Sequence, residues 1–126
     1  MGNFKLIKML TSLLAVVFLL TACTTTQSDS PFISAEPEEG SVQTRTPQTL
    51  RLYFEQLPDV PRSEVTLQGP SGILNIRGMH TMGENDLMME INDQVVDGEY
   101  TVYWSTHLEE DPNEYQGRYS FSVQAN

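Results

Sequence analysis

The chain has 126 residues, seven basic against seventeen acidic side chains, a formal net charge of −10 and one cysteine. That length suits one small domain with its own core. The acidic balance excludes a nucleic-acid-binding surface and attracts cations, and a lone cysteine excludes an internal disulfide.

The N-terminus reads as a targeting segment. Lys5 and Lys8 form a positive start, and Leu10 to Leu20 is an apolar run of signal-peptide length. That run is shorter than the roughly 20 residues that span a bilayer. Leu20-Thr21-Ala22-Cys23 then matches the bacterial lipobox. The pattern predicts a signal peptide over residues 1–22, cleavage before Cys23, and lipid on the Cys23 sulfur and amine as the membrane anchor. The alternatives are an ordinary secretory signal or an uncleaved anchor helix. Thr24 follows where an Asp would favour inner-membrane retention, so the outer membrane is favoured. Both lysines leave with the signal peptide, and the five arginines that remain face all seventeen acidic residues. Residues 23–30, polar and small, form a flexible tether.

From residue 31 to 126 short alternating segments are separated by Gly, Pro, Asn and Asp. Strands are expected at Phe32–Glu36, at Thr49–Glu55 with Leu50, Leu52 and Phe54 inward, and at Glu64–Gln68 with Val65 and Leu67 inward. Gly69-Pro70-Ser71-Gly72 is a tight turn into a fourth strand, Ile73–Arg77. Leu87–Ile91 is the fifth. Asp97-Gly98 is a hairpin signal before Glu99–Ser105, with Tyr100, Val102 and Trp104 on one face. Arg118–Val123 is the seventh. Seven short strands and no amphipathic helix predict an all-β fold, an immunoglobulin-like antiparallel β-sandwich. With seven strands, the connections 79–86 and 107–116 fall at the same end as the tether, which places both histidines at that end.

After the signal peptide, every methionine of the chain lies in Gly78–Met89, as does one of its two histidines. Thioether sulfur is soft and selects Cu(I), and imidazole suits both copper oxidation states. His80 and Met82 are two apart, so in extended chain they share a side, while Met79 and Thr81 lie opposite. Gly78 and Gly83 bracket the segment and permit a bend. Met88 and Met89 face opposite ways, so at most one joins His80 and Met82. The competing reading makes these methionines gap-fillers in the core, and it is preferred for Met88 and Met89. His107, near Glu109 and Glu110, is a further candidate or a plain surface histidine. The run from Glu109 to Glu114 lacks the acidic spacing and glycine of a Ca²⁺ loop and reads as a solvated acidic loop. No nucleophile elbow, phosphate loop or His-Glu-x-x-His helix occurs, so no enzymatic activity is expected.

Several runs together carry a family resemblance: Ser34-Ala35-Glu36-Pro37-Glu38-Glu39-Gly40, Leu50–Phe54, Gly69–Gly72, Asp97–Trp104 and Gly117–Val123. From Phe32 onward the sequence resembles the CopC-type periplasmic copper-binding proteins. The resemblance implies a β-sandwich that binds Cu(II) through an N-terminal histidine and an Asp-x-His pair before the last strand. Some members add a Met-rich Cu(I) loop. Here no histidine stands near Asp29 or Pro31, and the pair falls on Asp111-Pro112-Asn113, with Asn in place of His. The family's Met-rich loop would fall near Gly69–Gly72, one connection before the methionines of this chain. The expectation is a lipid-anchored periplasmic protein that binds copper, with His80, Met82 and Met79 foremost and His107 and Asp111 as further ligands. The copper oxidation state is open, and a membrane copper transporter is a candidate partner. The alternative is a sandwich that has lost copper and serves as an envelope structural or protein-interaction lipoprotein.

Overall fold

The computed structural model describes residues 30–126. The expected signal peptide, the lipidated Cys23 and all of the tether but Ser30 lie outside the described residues.

Among the described residues nine strands form two facing sheets: β1 (Phe32–Glu36), β2 (Val42–Gln43), β3 (Thr49–Phe54), β4 (Glu64–Gly69), β5 (Gly72–Leu74), β6 (Ile76–His80), β7 (Asp86–Ile91), β8 (Gly98–Leu108) and β9 (Asp111–Val123). One sheet has the order β1-β3-β7-β6 and the other β2-β9-β8-β4-β5. All pairings are antiparallel except β2 with β9. The β-sandwich expected from the alternation is therefore present, with nine strands in place of seven.

The differences have physical reasons. The expected strand Ile73–Arg77 is split: β5 pairs with β4 in one sheet, and β6 pairs with β7 in the other. Asn75 is the crossing point, its N–H bonded to Asp93 Oδ2 and its carbonyl to the Asn92 N–H. Leu74 and Ile76 both reach the core, so their alternation reads as one strand although each serves a different sheet. The two-residue β2 is too short to show alternation. β8 and β9 run further than expected, to Leu108 and from Asp111. Thr106 and Leu108 continue the inward parity of Trp104 and are buried, but the polar run Ser105-Thr106-His107 disguises the continuation.

The inward residues make one core: Leu50, Leu52 and Phe54 of β3, Leu87 and Met89 of β7, Tyr100, Val102 and Trp104 of β8, and Tyr119, Phe121 and Val123 of β9. Each large apolar side chain so buried contributes about 1.5–3 kcal/mol. Phe32 stacks on Trp104 at 5.4 Å and on Tyr119 at 5.8 Å, and Phe54 meets Trp104 edge-on at 5.3 Å. These pairs link the two sheets.

Register fixes which residues share an end. Phe32 pairs with Phe54, Tyr53 with Asp86, and Met88 with His80. In the other sheet Glu64 pairs with Ser105 and Leu108 with Asp111. Asp59 N–H donates to the His107 carbonyl and Pro58 bridges to Leu108, joining the end of β3 to the tip of the β8–β9 hairpin. His80, Asp86, His107 and Asp111 are therefore at one end, with the start of β1. The parity expectation holds because β5 and β6 run in the same direction and count as one strand, and because β2, parallel to β9, runs in the direction of β1 and does not reverse the chain.

Candidate metal centre

The centre is built by one bulge. Arg77 pairs with Glu90 and His80 with Met88, so Gly78 and Met79 together oppose Met89 alone. Gly78 sits at φ +71°, in the left-handed region that glycine enters at least cost. Strict alternation from the exposed Arg77 would turn Met79 outward and His80 inward. The extra residue reverses both. Met79 packs against the core cluster with Ile76, and His80 stands exposed on the outer face of the four-stranded sheet.

The ring of His80 is held by that same bulge. Its Nδ1 bonds the Gly78 carbonyl. A carbonyl only accepts, so Nδ1 carries the proton and Nε2 of the neutral ring keeps its lone pair. Nε2 lies 3.2 Å from Met82 Sδ. Thioether sulfur has no proton either, so two bare donors face each other in a site open to solvent, Met82 being 51% exposed. Tetrahedral coordination with metal–N and metal–S bonds of about 2.0 and 2.3 Å would separate such donors by roughly 3.5 Å. The pair is within a few tenths of an ångström of that spacing.

Met82 is held by Asp86, whose side chain is fully buried. Asp86 Oδ1 accepts the Met82 N–H at 3.0 Å and Oδ2 accepts Arg51 Nε–H at 2.8 Å. Arg51 also reaches Glu84 at 3.3 Å and lies 4.8 Å from the Tyr53 ring centre. The Asp86 bond is the main cause that raises the Arg51 guanidinium above its ordinary value. Burial, then Glu36, raises the Tyr53 hydroxyl. The Asn85 carbonyl accepts the Phe54 N–H at 2.8 Å and its side-chain amide donates to the Glu55 carbonyl. The loop 81–85 is thus tied to β3 at both backbone and side-chain level.

The other candidates fall elsewhere. Met89 is core, 1% exposed, as the sequence suggested. Met88 is half-buried, and its register partners are His80 on one side and Arg51 on the other. It therefore shares the outer face with His80, not the core. The alternation of Met88 and Met89 showed that one of them must face outward, but not which.

His107 is at the same end but on a different face. Tyr100, Val102, Trp104, Thr106 and Leu108 point inward, so His107 lies on the outer face of the five-stranded sheet, across from Glu114. Two packed sheets separate it from His80. Its Nδ1 is 3.4 Å from the Arg62 carbonyl. Asp111 is engaged within its own turn: Oδ1 accepts the Asn113 N–H and Oδ2 the Tyr115 hydroxyl. These bonds, the Tyr115 one first, hold its carboxyl below the ordinary value, and the same bond raises the Tyr115 hydroxyl. The structure brings His80 and Met82 together and joins neither Met79, His107 nor Asp111 to them. Among the described residues no three His, Cys, Asp or Glu side chains converge on a common point.

Fold and geometry together define a two-sheet β-sandwich with a soft-donor histidine–methionine pair on one outer face. The CopC domain family matches residues 32–124, and the chain belongs to that family. Among curated proteins none matches in sequence. Solved structures share the fold. PcoC, a methionine-rich copper resistance protein from Escherichia coli, aligns with a TM-score of 0.68 at 18% identity, over 77% of this chain and all of PcoC. CopC from Methylosinus trichosporium OB3b aligns with a TM-score of 0.65 at 17% identity, over 76% of this chain and 94% of its own.

Proposed function

We propose that this chain is a copper-binding protein of the periplasm that holds the metal for buffering or transfer and not for turnover. It is anchored by lipid at Cys23, with the outer membrane favoured, and a membrane copper transporter is its candidate exchange partner. Family membership supports copper, as do fold neighbours that are copper resistance proteins. The observation that carries the reading is the 3.2 Å approach of His80 Nε2 to Met82 Sδ, with the ring tautomer set by Gly78. Imidazole and thioether are copper donors, and a backbone carbonyl on the other ring nitrogen is the usual support for a ligating histidine. Met79 packs on the core and is left out of this site.

Titration of the purified protein with Cu(I) and with Cu(II), for wild type and a His80→Ala, Met82→Ala double variant, tests the site. The double variant is expected to bind copper at least tenfold more weakly, and His107→Ala to bind as wild type. Equal affinity in the double variant would overturn this placement of the metal. Loss of labelled palmitate in Cys23→Ala checks the anchor.

One observation favours the second reading, an envelope structural or interaction lipoprotein without copper. At the family's Asp-x-His position stands Asn113, and Asp111 is bonded inside its turn. A wild-type protein that binds neither oxidation state would decide for it.

A further inference from the structure

Resting on the copper reading above, we propose that Met88 is the third donor of the site and that the site selects Cu(I). His80 and Met88 are direct cross-strand partners on the outer face of the β6–β7 pair. Side chains so placed start about 4.5–5.5 Å apart at Cβ, and methionine has three rotatable bonds with which to reach a neighbour. Met82 approaches His80 from the loop side. One imidazole nitrogen and two methionine side chains thus share the outer face of one hairpin, each delivered by a different device: the Gly78 bulge, the Asp86-bound loop and the β7 register.

The donor count sets the oxidation state. Two thioethers and a single imidazole make a soft set, which favours Cu(I), whereas Cu(II) prefers nitrogen and oxygen. The carboxylates around the site are paired with arginines. Asp86 bonds Arg51 and the Met82 N–H, Glu84 bonds Arg51, and Glu90 lies 3.7 Å from Arg77. Arg51 itself is the other cross-strand partner of Met88. Two sulfur donors and carboxylates already committed to arginines both favour Cu(I).

The test uses the full-length lipoprotein purified in detergent. Cu(I) affinity is measured anaerobically by competition with a chromophoric chelator, and Cu(II) affinity is measured separately. Met88→Leu keeps the bulk of the side chain and removes the sulfur, and Met89→Leu is the matching change in the core. Met88→Leu is expected to weaken Cu(I) binding at least tenfold and to leave Cu(II) binding unchanged, with Met89→Leu as wild type. Silver(I), a redox-inert probe, should shift the ε-methyl resonances of Met82 and Met88 and leave those of Met79 and Met89 in place. A Met88→Leu protein that binds Cu(I) as wild type, while the His80→Ala, Met82→Ala variant does not, would overturn the third ligand and leave the copper reading standing. Tighter binding of Cu(II) than of Cu(I) at this site would overturn the selectivity. Absence of all copper binding in wild type would overturn both.

Discussion

The β6–β7 and β8–β9 hairpins are built alike and end differently. Both are antiparallel, both have their tips at the end where β1 starts, and each carries a histidine on an outer face and an aspartate in or beside its turn. In both, the aspartate is occupied with structure. Asp86 holds the Met82 N–H and Arg51, and Asp111 holds Asn113 and Tyr115. The difference lies in what faces the histidine. His107 faces Glu114 and the Arg62 carbonyl. His80 faces a thioether that can neither donate to it nor take its lone pair. One hairpin closes its polar groups on each other, and the other leaves two donors free. A bulge and one methionine separate a tip whose polar groups close on each other from one that leaves two bare donors side by side.

The largest effect that would break this comparison is expected from Asp86→Ala. It removes a buried acceptor of two hydrogen bonds, one from a charged donor, and leaves Arg51 and the Met82 N–H without it. A loss of about 2–4 kcal/mol is expected in urea unfolding, together with weaker Cu(I) binding as the loop 81–85 loosens. Unchanged stability would mean that the loop is held by its backbone alone.

Gly78→Ala is next. A Cβ there meets nothing within 4 Å, so its cost is conformational, about 1 kcal/mol for a non-glycine residue held at positive φ. If the chain relieves that strain by losing the bulge, His80 turns inward. Chelator competition then shows a drop in Cu(I) affinity larger than the stability change accounts for. An unaltered affinity would sharpen the comparison in another direction, because the bulge would survive without glycine.

The smallest effect belongs to the other hairpin. The Asp111 carboxyl is held below the ordinary carboxylate value by Tyr115 first and then Asn113. A group with a lowered folded value contributes stability above its unfolded value and loses it as pH falls through the folded one. Acid should therefore loosen the β8–β9 tip only below the ordinary aspartate range, seen in the amide resonances of Asn113 and Tyr115. Tyr115→Phe should shrink this acid step and lower Tm at neutral pH by less than the Gly78 change does. An acid step of full size in Tyr115→Phe would assign it to other carboxylates.

Much of the fold was legible because alternation is a local signal. Leu50-Leu52-Phe54 and Tyr100-Val102-Trp104 mark their inward faces without help. β2 was not legible, since two residues carry no period, and the β5–β6 division was hidden because Leu74 and Ile76 keep one parity across a change of sheet. At the site, the clustering of His80 with methionines was visible, and so was the shared side of His80 and Met82. The place of Met88 was not.

The sequence alone determined a small acidic all-β domain and a single stretch of soft donors, because composition and two-residue periodicity are properties of the chain itself. Strand parity also put both histidines at one end. Only the tertiary structure decided that they stand on opposite faces of the sandwich, since parity orders the ends of strands and not the sheets they join. Only it decided that Met79 turns in while His80 and Met88 turn out. One extra residue at Gly78 inverts the sidedness of everything after it in β6, and where a bulge falls is settled by pairing with β7.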